Sequence, residues 1–155
     1  MNKKNVGKVV AVLAGLAVGA GGYFLYREFN RKAPSVLDVQ PVASLSIENL
    51  AAAFASKPDS VHSAFRDKVI EVGGKLLRAD VRDTAAYLEM AAPGGLVVQA
   101  SFGADGAEDV KSLPPEPAGL YVKIRGYYYG YLPGDSILGE VLPGSVQLGR
   151  CRLVR

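Results

Sequence analysis

The chain has 155 residues, 49% of them hydrophobic, and its 18 Lys or Arg against 15 Asp or Glu give a net charge of +3. That charge is unevenly placed: residues 1–33 hold six basic side chains and one acid, Glu28, whereas residues 34–155 hold twelve basic and fourteen acidic ones. The larger part therefore lacks the broad positive field of a sequence-independent phosphate binder, and the single cysteine, Cys151, excludes an internal disulfide.

Residues 1–8 form a basic tail with Lys3, Lys4 and Lys8, and Val9 to Tyr26 (VVAVLAGLAVGAGGYFLY) is an uncharged, largely apolar run. As a helix rising about 1.5 Å per residue it is roughly 27 Å long, the span of a hydrocarbon core. Tyr23, Phe24 and Tyr26 close it, followed by Arg27, Arg31 and Lys32, as in an uncleaved anchor with aromatic residues at the interface. Residues 9–26 are therefore expected to be a single transmembrane helix. The competing reading is a cleavable signal peptide, for which Val18, Gly19 and Ala20 offer small residues at a cleavage site. Three basic residues flank the run on each side, and the short tail suits a signal anchor with its amino terminus inside. In a bacterium this orientation places the rest of the chain on the periplasmic face of the inner membrane. Gly15 and Gly19 have GxxxG spacing, so a weak homodimer through the helix is a further expectation. Residues 27–44, with Pro34 and Pro41 and no periodic pattern, read as a juxtamembrane linker, and residues 45–155 as one domain.

Within that domain Ser46 suits a helix cap, and Ile47, Leu50, Ala51 and Phe54 then recur at helical spacing. Pro58 suits the first turn of a second helix, whose Val61, Ala64 and Phe65 share a face. From Lys68 the period changes to two, with Ile70, Val72, Gly74 and Leu76 on one side of a strand, and the Gly73-Gly74 pair is expected to mark a bulge or sharp coil. A second strand over Ala86 to Ala91, the Pro93-Gly94-Gly95 turn and a third strand from Leu96 to Phe102 make a hairpin. Polar residues from Gly103 to Leu113 form a short helix stopped by Pro114 and Pro115. A fourth strand begins near Leu120, with Leu120, Val122 and Ile124 facing one way. The last, Ser145 to Val154, turns Val146, Leu148, Cys151 and Leu153 inward if Gly149 and Arg150 form a bulge.

Three strands, a short helix and two more strands, behind a helical preface, is the element order of a mainly β chain forming a small five-stranded OB-fold barrel. The chain also resembles, over roughly Leu45 to Val154, bacterial OB-fold domains described as tRNA-anticodon-binding-like, often carried behind a lipoprotein signal or membrane anchor. The resemblance lies in the segment from Ala64 to Gly74, in Val122-Lys123-Ile124-Arg125-Gly126, and in the closing Val146 to Leu153. It implies a fold relationship to anticodon readers, with no binding residue carried over. The chain departs from the family in having Leu16 where a lipoprotein needs its modified cysteine, and in an insertion from Leu132 to Gly144.

The candidate ligand-binding residues are Tyr121, Lys123, Arg125, Tyr127, Tyr129 and Tyr131, which share one strand face by period two. Aromatic planes stack on bases or sugars, and cations between them hold phosphates. The plainer reading of the same row is a half-buried sheet whose tyrosines cover the helical preface or a protein partner. Arg150 and Arg152 extend the row's positive character or are simply solvated. His62 has no second histidine and reads as a solvent-facing helix residue; Cys151 reads as a small buried hydrophobe. Asp80, Asp83 and Glu89 lack a spacing that predicts convergence, and Gly103 to Gly106 lacks the order of a phosphate loop. No catalytic, cofactor or metal motif is present, so the expectation is a noncatalytic, membrane-tethered binding module without a cofactor. Its expected partner is an envelope protein or polymer, the alternative being nucleic acid.

Overall fold

The computed structural model describes residues 21–29, 35–137 and 140–154. The chain divides into two compact units, Met1–Pro34 and Ser35–Arg155. In the first, residues 21–29 are helical (α1). Among the described residues no helix is long and apolar enough to cross a membrane. The expected anchor lies outside the described residues apart from its end, residues 21–26, as do the basic tail and the Gly15–Gly19 pair.

The second unit opens with a 3-10 turn at Val36–Asp38, capped by Ser35, whose Oγ accepts from the Leu37 N–H. It continues through β1 (Ala43–Ser46), α2 (Ile47–Ser56), α3 (Pro58–Phe65), β2 (Val69–Val81), β3 (Ala86–Ala91), β4 (Val97–Phe102), α4 (Ala104–Lys111) and β5 (Tyr121–Leu132). A hairpin of β6 (Asp135–Ile137) and β7 (Glu140–Leu142) follows, and β8 (Ser145–Val154) closes the barrel. The expected linker 27–44 is thus partly built into the domain. Val36 is buried, and β1 runs parallel to β2 from Ala43 opposite Ile70 to Ser46 opposite Gly73. Four residues are too few for alternation to announce a strand; β1 exists because β2 offers it a ladder.

The larger sheet runs β1-β2-β3-β4-β8-β5 and returns from β5 to β2, so β2, β3, β4, β8 and β5 form a closed five-stranded barrel. Closure depends on the length of β2. Its first half, Val69–Lys75, pairs with β5, and its second half, Leu76–Val81, with β3. The β4–β8 pair is parallel and the other barrel pairs are antiparallel. Inward residues include Ile70, Val72, Leu88, Met90, Val98, Phe102, Ile124, Tyr128, Val146 and Leu148. α2 lays Ile47, Leu50 and Phe54 on this core, with Ser46 Oγ accepting from the Asn49 N–H at 3.2 Å as its cap. α4 buries Ala107 and Val110 and is pinned by Arg152, whose Nε donates to Asp109 at 2.6 Å.

The register departs from simple alternation at three places. The irregularity in β2 falls at Leu77, between Leu76 and Arg78, rather than at the glycine pair. Gly73 and Gly74 instead permit close approach: a Cβ on Gly73 would meet the Tyr121 hydroxyl, and one on Gly74 would lie 3.0 Å from Ile47. In β8 the pairing jumps from Arg152 opposite Arg125 to Gly149 opposite Tyr127, with Arg150 at φ 52°. This is the expected bulge, and it keeps Val146, Leu148 and Cys151 buried with Leu153 half-buried. In β5 Tyr128 lies opposite Leu148 and Gly130 opposite Gln147, leaving Tyr129 as an extra residue. One inserted residue reverses the inward and outward sense of everything beyond it.

Candidate binding groove

The tyrosine and cation row predicted on β5 does not form one patch. Tyr121 is exposed and lies over Gly73, with the stem of Lys123 beside it. Arg125 is drawn to Glu71, donating from Nη2 at 2.8 Å and Nε at 3.2 Å, while its Nη1 donates to the Leu37 carbonyl at 3.1 Å. It holds the 3-10 turn at Val36–Asp38 to the barrel. Tyr127 is half-buried between Val69 and Gly149 in the register. Beyond the bulge Tyr131 turns to the other side and stacks on Phe54, with ring centroids 4.4 Å apart. The plainer reading, in which a tyrosine covers the helical preface, holds for Tyr131. Of the six, Tyr129 alone joins the groove described below.

The remaining sequence candidates also find structural employment. His62 is half-buried rather than solvent-facing, with Nδ1 2.9 Å from the Tyr128 hydroxyl. Burial pushes the Tyr128 hydroxyl up to about 12 and raises the Cys151 thiol, so Cys151 is a neutral core group. Arg152 is engaged by Asp109. Among the described residues no group of three His, Cys, Asp or Glu side chains comes together to hold a metal.

The groove lies on the outer face of β3 and β4, reaches onto β2, β8 and β5, and has a volume of about 580 Å³. Strand alternation builds its floor. Tyr87 and Glu89 point outward from β3 while Leu88 and Met90 point in, and Gln99 and Ser101 point outward from β4. The register then sets Arg78, Glu89, Gln99 and Gln147 side by side across four strands. At one end Arg82 stands over the Tyr87 ring, 5.5 Å from its centroid, and its Nη2 donates to Asp80 at 3.2 Å. At the other end Tyr129 leans across Gly149, its ring occupying the space a Cβ would need. Tyr87 is 44% exposed and Tyr129 59%, so both rings are open to a ligand. The outward positions of Tyr87, Glu89 and Gln99 follow from period two; that Gln147 joins them follows from the parallel β4–β8 pairing, for which the sequence carries no local signal.

No family model matches the chain, and no curated protein matches it. Among solved structures, a Klebsiella pneumoniae protein provisionally described as a nucleic acid-binding lipoprotein superposes with a TM-score of 0.53 at 16% identity, over 77% of this chain and 95% of that one. The barrel is of the OB type. Its strand order, its parallel β4–β8 pair and the helix between β4 and β5 carry that assignment together with the superposition. Two tRNA synthetase structures superpose more loosely. A Leishmania major protein provisionally described as an aspartyl-tRNA synthetase has a TM-score of 0.44 at 13% identity, covering 79% of this chain and 23% of its own. The asparaginyl-tRNA synthetase of Entamoeba histolytica has a TM-score of 0.42 at 18% identity, covering 74% and 24%. In OB barrels the second and third strands form the face on which oligonucleotides and oligosaccharides lie. Those strands are β3 and β4 here, and the groove occupies that face.

Proposed function

We propose that this chain is a noncatalytic OB-fold binding module, tethered to a bacterial inner membrane with its barrel on the periplasmic side, that holds an envelope polymer or protein in the β3–β4 groove. The observation that carries the reading is the pairing of two exposed rings, Tyr87 and Tyr129, with a polar row running between strands. Such a surface grips an extended ligand by stacking and hydrogen bonding. The tether rests on the apolar run Val9 to Tyr26 and its basic flanks. The second reading is single-stranded nucleic acid, favoured by the Arg82–Tyr87 stack and by the description of the Klebsiella protein of the same fold. The test is binding of the full chain in detergent micelles to envelope glycans, envelope proteins and single-stranded oligonucleotides. Tyr87→Ala and Tyr129→Ala should each weaken the true ligand at least tenfold without altering the thermal transition. Binding that survives both substitutions would place the site elsewhere.

A further inference from the structure

Resting on the reading that residues 9–26 anchor the chain, we infer that the corner of the barrel where β2 parts from β5 docks on the lipid surface itself. An exposed apolar patch gathers there. The Leu76 N–H donates to the Leu120 carbonyl at 2.9 Å and the Gly119 N–H to the Leu76 carbonyl at 2.7 Å, while Lys75 lies opposite Tyr121. This pairing brings together Leu77, Leu120 and Tyr121, all exposed, the first and last by more than half. Leu77 is the residue left over by the irregularity in β2, so barrel closure gives it no core to enter. Beside Tyr121 is a recess of about 320 Å³ lined by Leu113, Leu120, Val122 and Leu153, with Lys123. The loop that leads in, Leu113 to Leu120, is apolar but for Glu116.

Tyrosine, leucine and lysine side by side suit a bilayer interface. A phenol ring rests at headgroup level, aliphatic side chains reach the first carbons of the acyl chains, and lysines keep their ammonium groups among the headgroups. Lys75 lies opposite Tyr121 and Lys123 two residues along β5; both are exposed, and neither enters an ion pair among the described residues. Of the nearby acids, Glu71 is already held by Ser44 and Arg125. The tether brings the corner within reach of lipid. Residues 27–34 separate the apolar run from Ser35, a span of at most about 30 Å. The start of the domain is fixed by Arg125, which donates to the Leu37 carbonyl and stands four residues from Tyr121, about 13 Å along β5. A patch too small to hold a free protein on lipid then suffices, because a short tether sets a millimolar effective concentration. Docking through β2 and β5 leaves the outer face of β3 and β4 open to a ligand.

The chain has no tryptophan, so a single one introduced reports its own surroundings. The test places full chains carrying Tyr121→Trp, Leu77→Trp or, on the groove face, Tyr87→Trp in vesicles of phosphatidylcholine and phosphatidylglycerol, with acyl chains brominated near the headgroup or left plain. Brominated lipid should remove at least half the emission of Tyr121→Trp and Leu77→Trp, and less than a tenth of that of Tyr87→Trp. Lys75→Glu with Lys123→Glu should at least halve the quenching of Tyr121→Trp, since the lysines draw the corner to anionic headgroups. Where Tyr121→Trp lowers the thermal transition, Leu77→Trp decides. A chain that does not float with the vesicles overturns the tether and the docking together. A chain that floats, with both corner tryptophans quenched no more than that of Tyr87→Trp, overturns the docking alone. Blue-shifted but unquenched emission at the corner would mean that a second copy or another protein covers it, and overturns lipid docking as well.

Discussion

Glu71 is 7% exposed, yet its carboxylate is tolerated because Ser44 Oγ donates to it at 2.8 Å and Arg125 donates twice. The Arg125 guanidinium, more than the Ser44 hydroxyl, holds its pKa below the ordinary 4.5. A depressed folded pKa contributes stability that is complete above 4.5 and is lost as pH falls through the folded value. Glu71→Gln should therefore cost about 1.5–3 kcal/mol at neutral pH and flatten the acid limb of a urea-unfolding series; parallel limbs for both proteins would show that the pair contributes nothing. Tyr128 behaves in the opposite sense. Its hydroxyl, raised to about 12, stays neutral in the fold while the unfolded chain ionises near 10, so stability declines with rising pH across that interval. Tyr128→Phe also leaves His62 without its 2.9 Å partner. It should cost about 1 kcal/mol at neutral pH and remove the alkaline decline, which chemical unfolding at neutral and alkaline pH will measure.

At the scale of elements, the bulge in β5 divides two tyrosines that are only two positions apart. Tyr129 faces the groove and Tyr131 stacks on Phe54 of α2. Tyr131→Ser should lower stability by about 2 kcal/mol through lost ring packing, while Tyr129→Ser stays within about 0.5 kcal/mol and loses binding instead. Equal losses of stability in thermal melts of the two variants would refute the division. The same bulge explains what could be read from the chain. Alternation around Ile70, Leu88, Val98 and Val122, the Ser46 cap and Pro58 in the first turn of α3 each announce an element locally, and the barrel order follows from them. In Tyr127-Tyr128-Tyr129-Gly130-Tyr131 a tyrosine suits either face, so the residue types conceal the parity change. The groove was hidden for a different reason. Its outward residues were legible strand by strand, but Gln147 meets Gln99 only through pairing of strands about fifty residues apart, and that is a property of closure rather than of local pattern.

At the scale of the molecule, location decides which polymer the groove can meet. Residues 1–33 carry the excess positive charge, and the barrel unit that follows is mildly acidic with its groove charges balanced. Our proposal takes the amino-terminal flank of the apolar run, which like the other flank carries three basic residues, to lie inside. Reporters active only in the cytoplasm or only in the periplasm, fused after Arg155 in a bacterial host, should therefore give a periplasmic signal. Removing the basic residues ahead of the run, by Lys3→Glu, Lys4→Glu and Lys8→Glu together, leaves Arg27, Arg31 and Lys32 unopposed and should shift a measurable fraction of the signal inward, because the basic residues set orientation. A cytoplasmic signal from the unaltered chain would remove envelope glycans from reach and restore single-stranded nucleic acid as the ligand to test. A periplasmic signal would separate the groove from the cell's RNA and DNA and support the envelope polymer or protein proposed as its ligand.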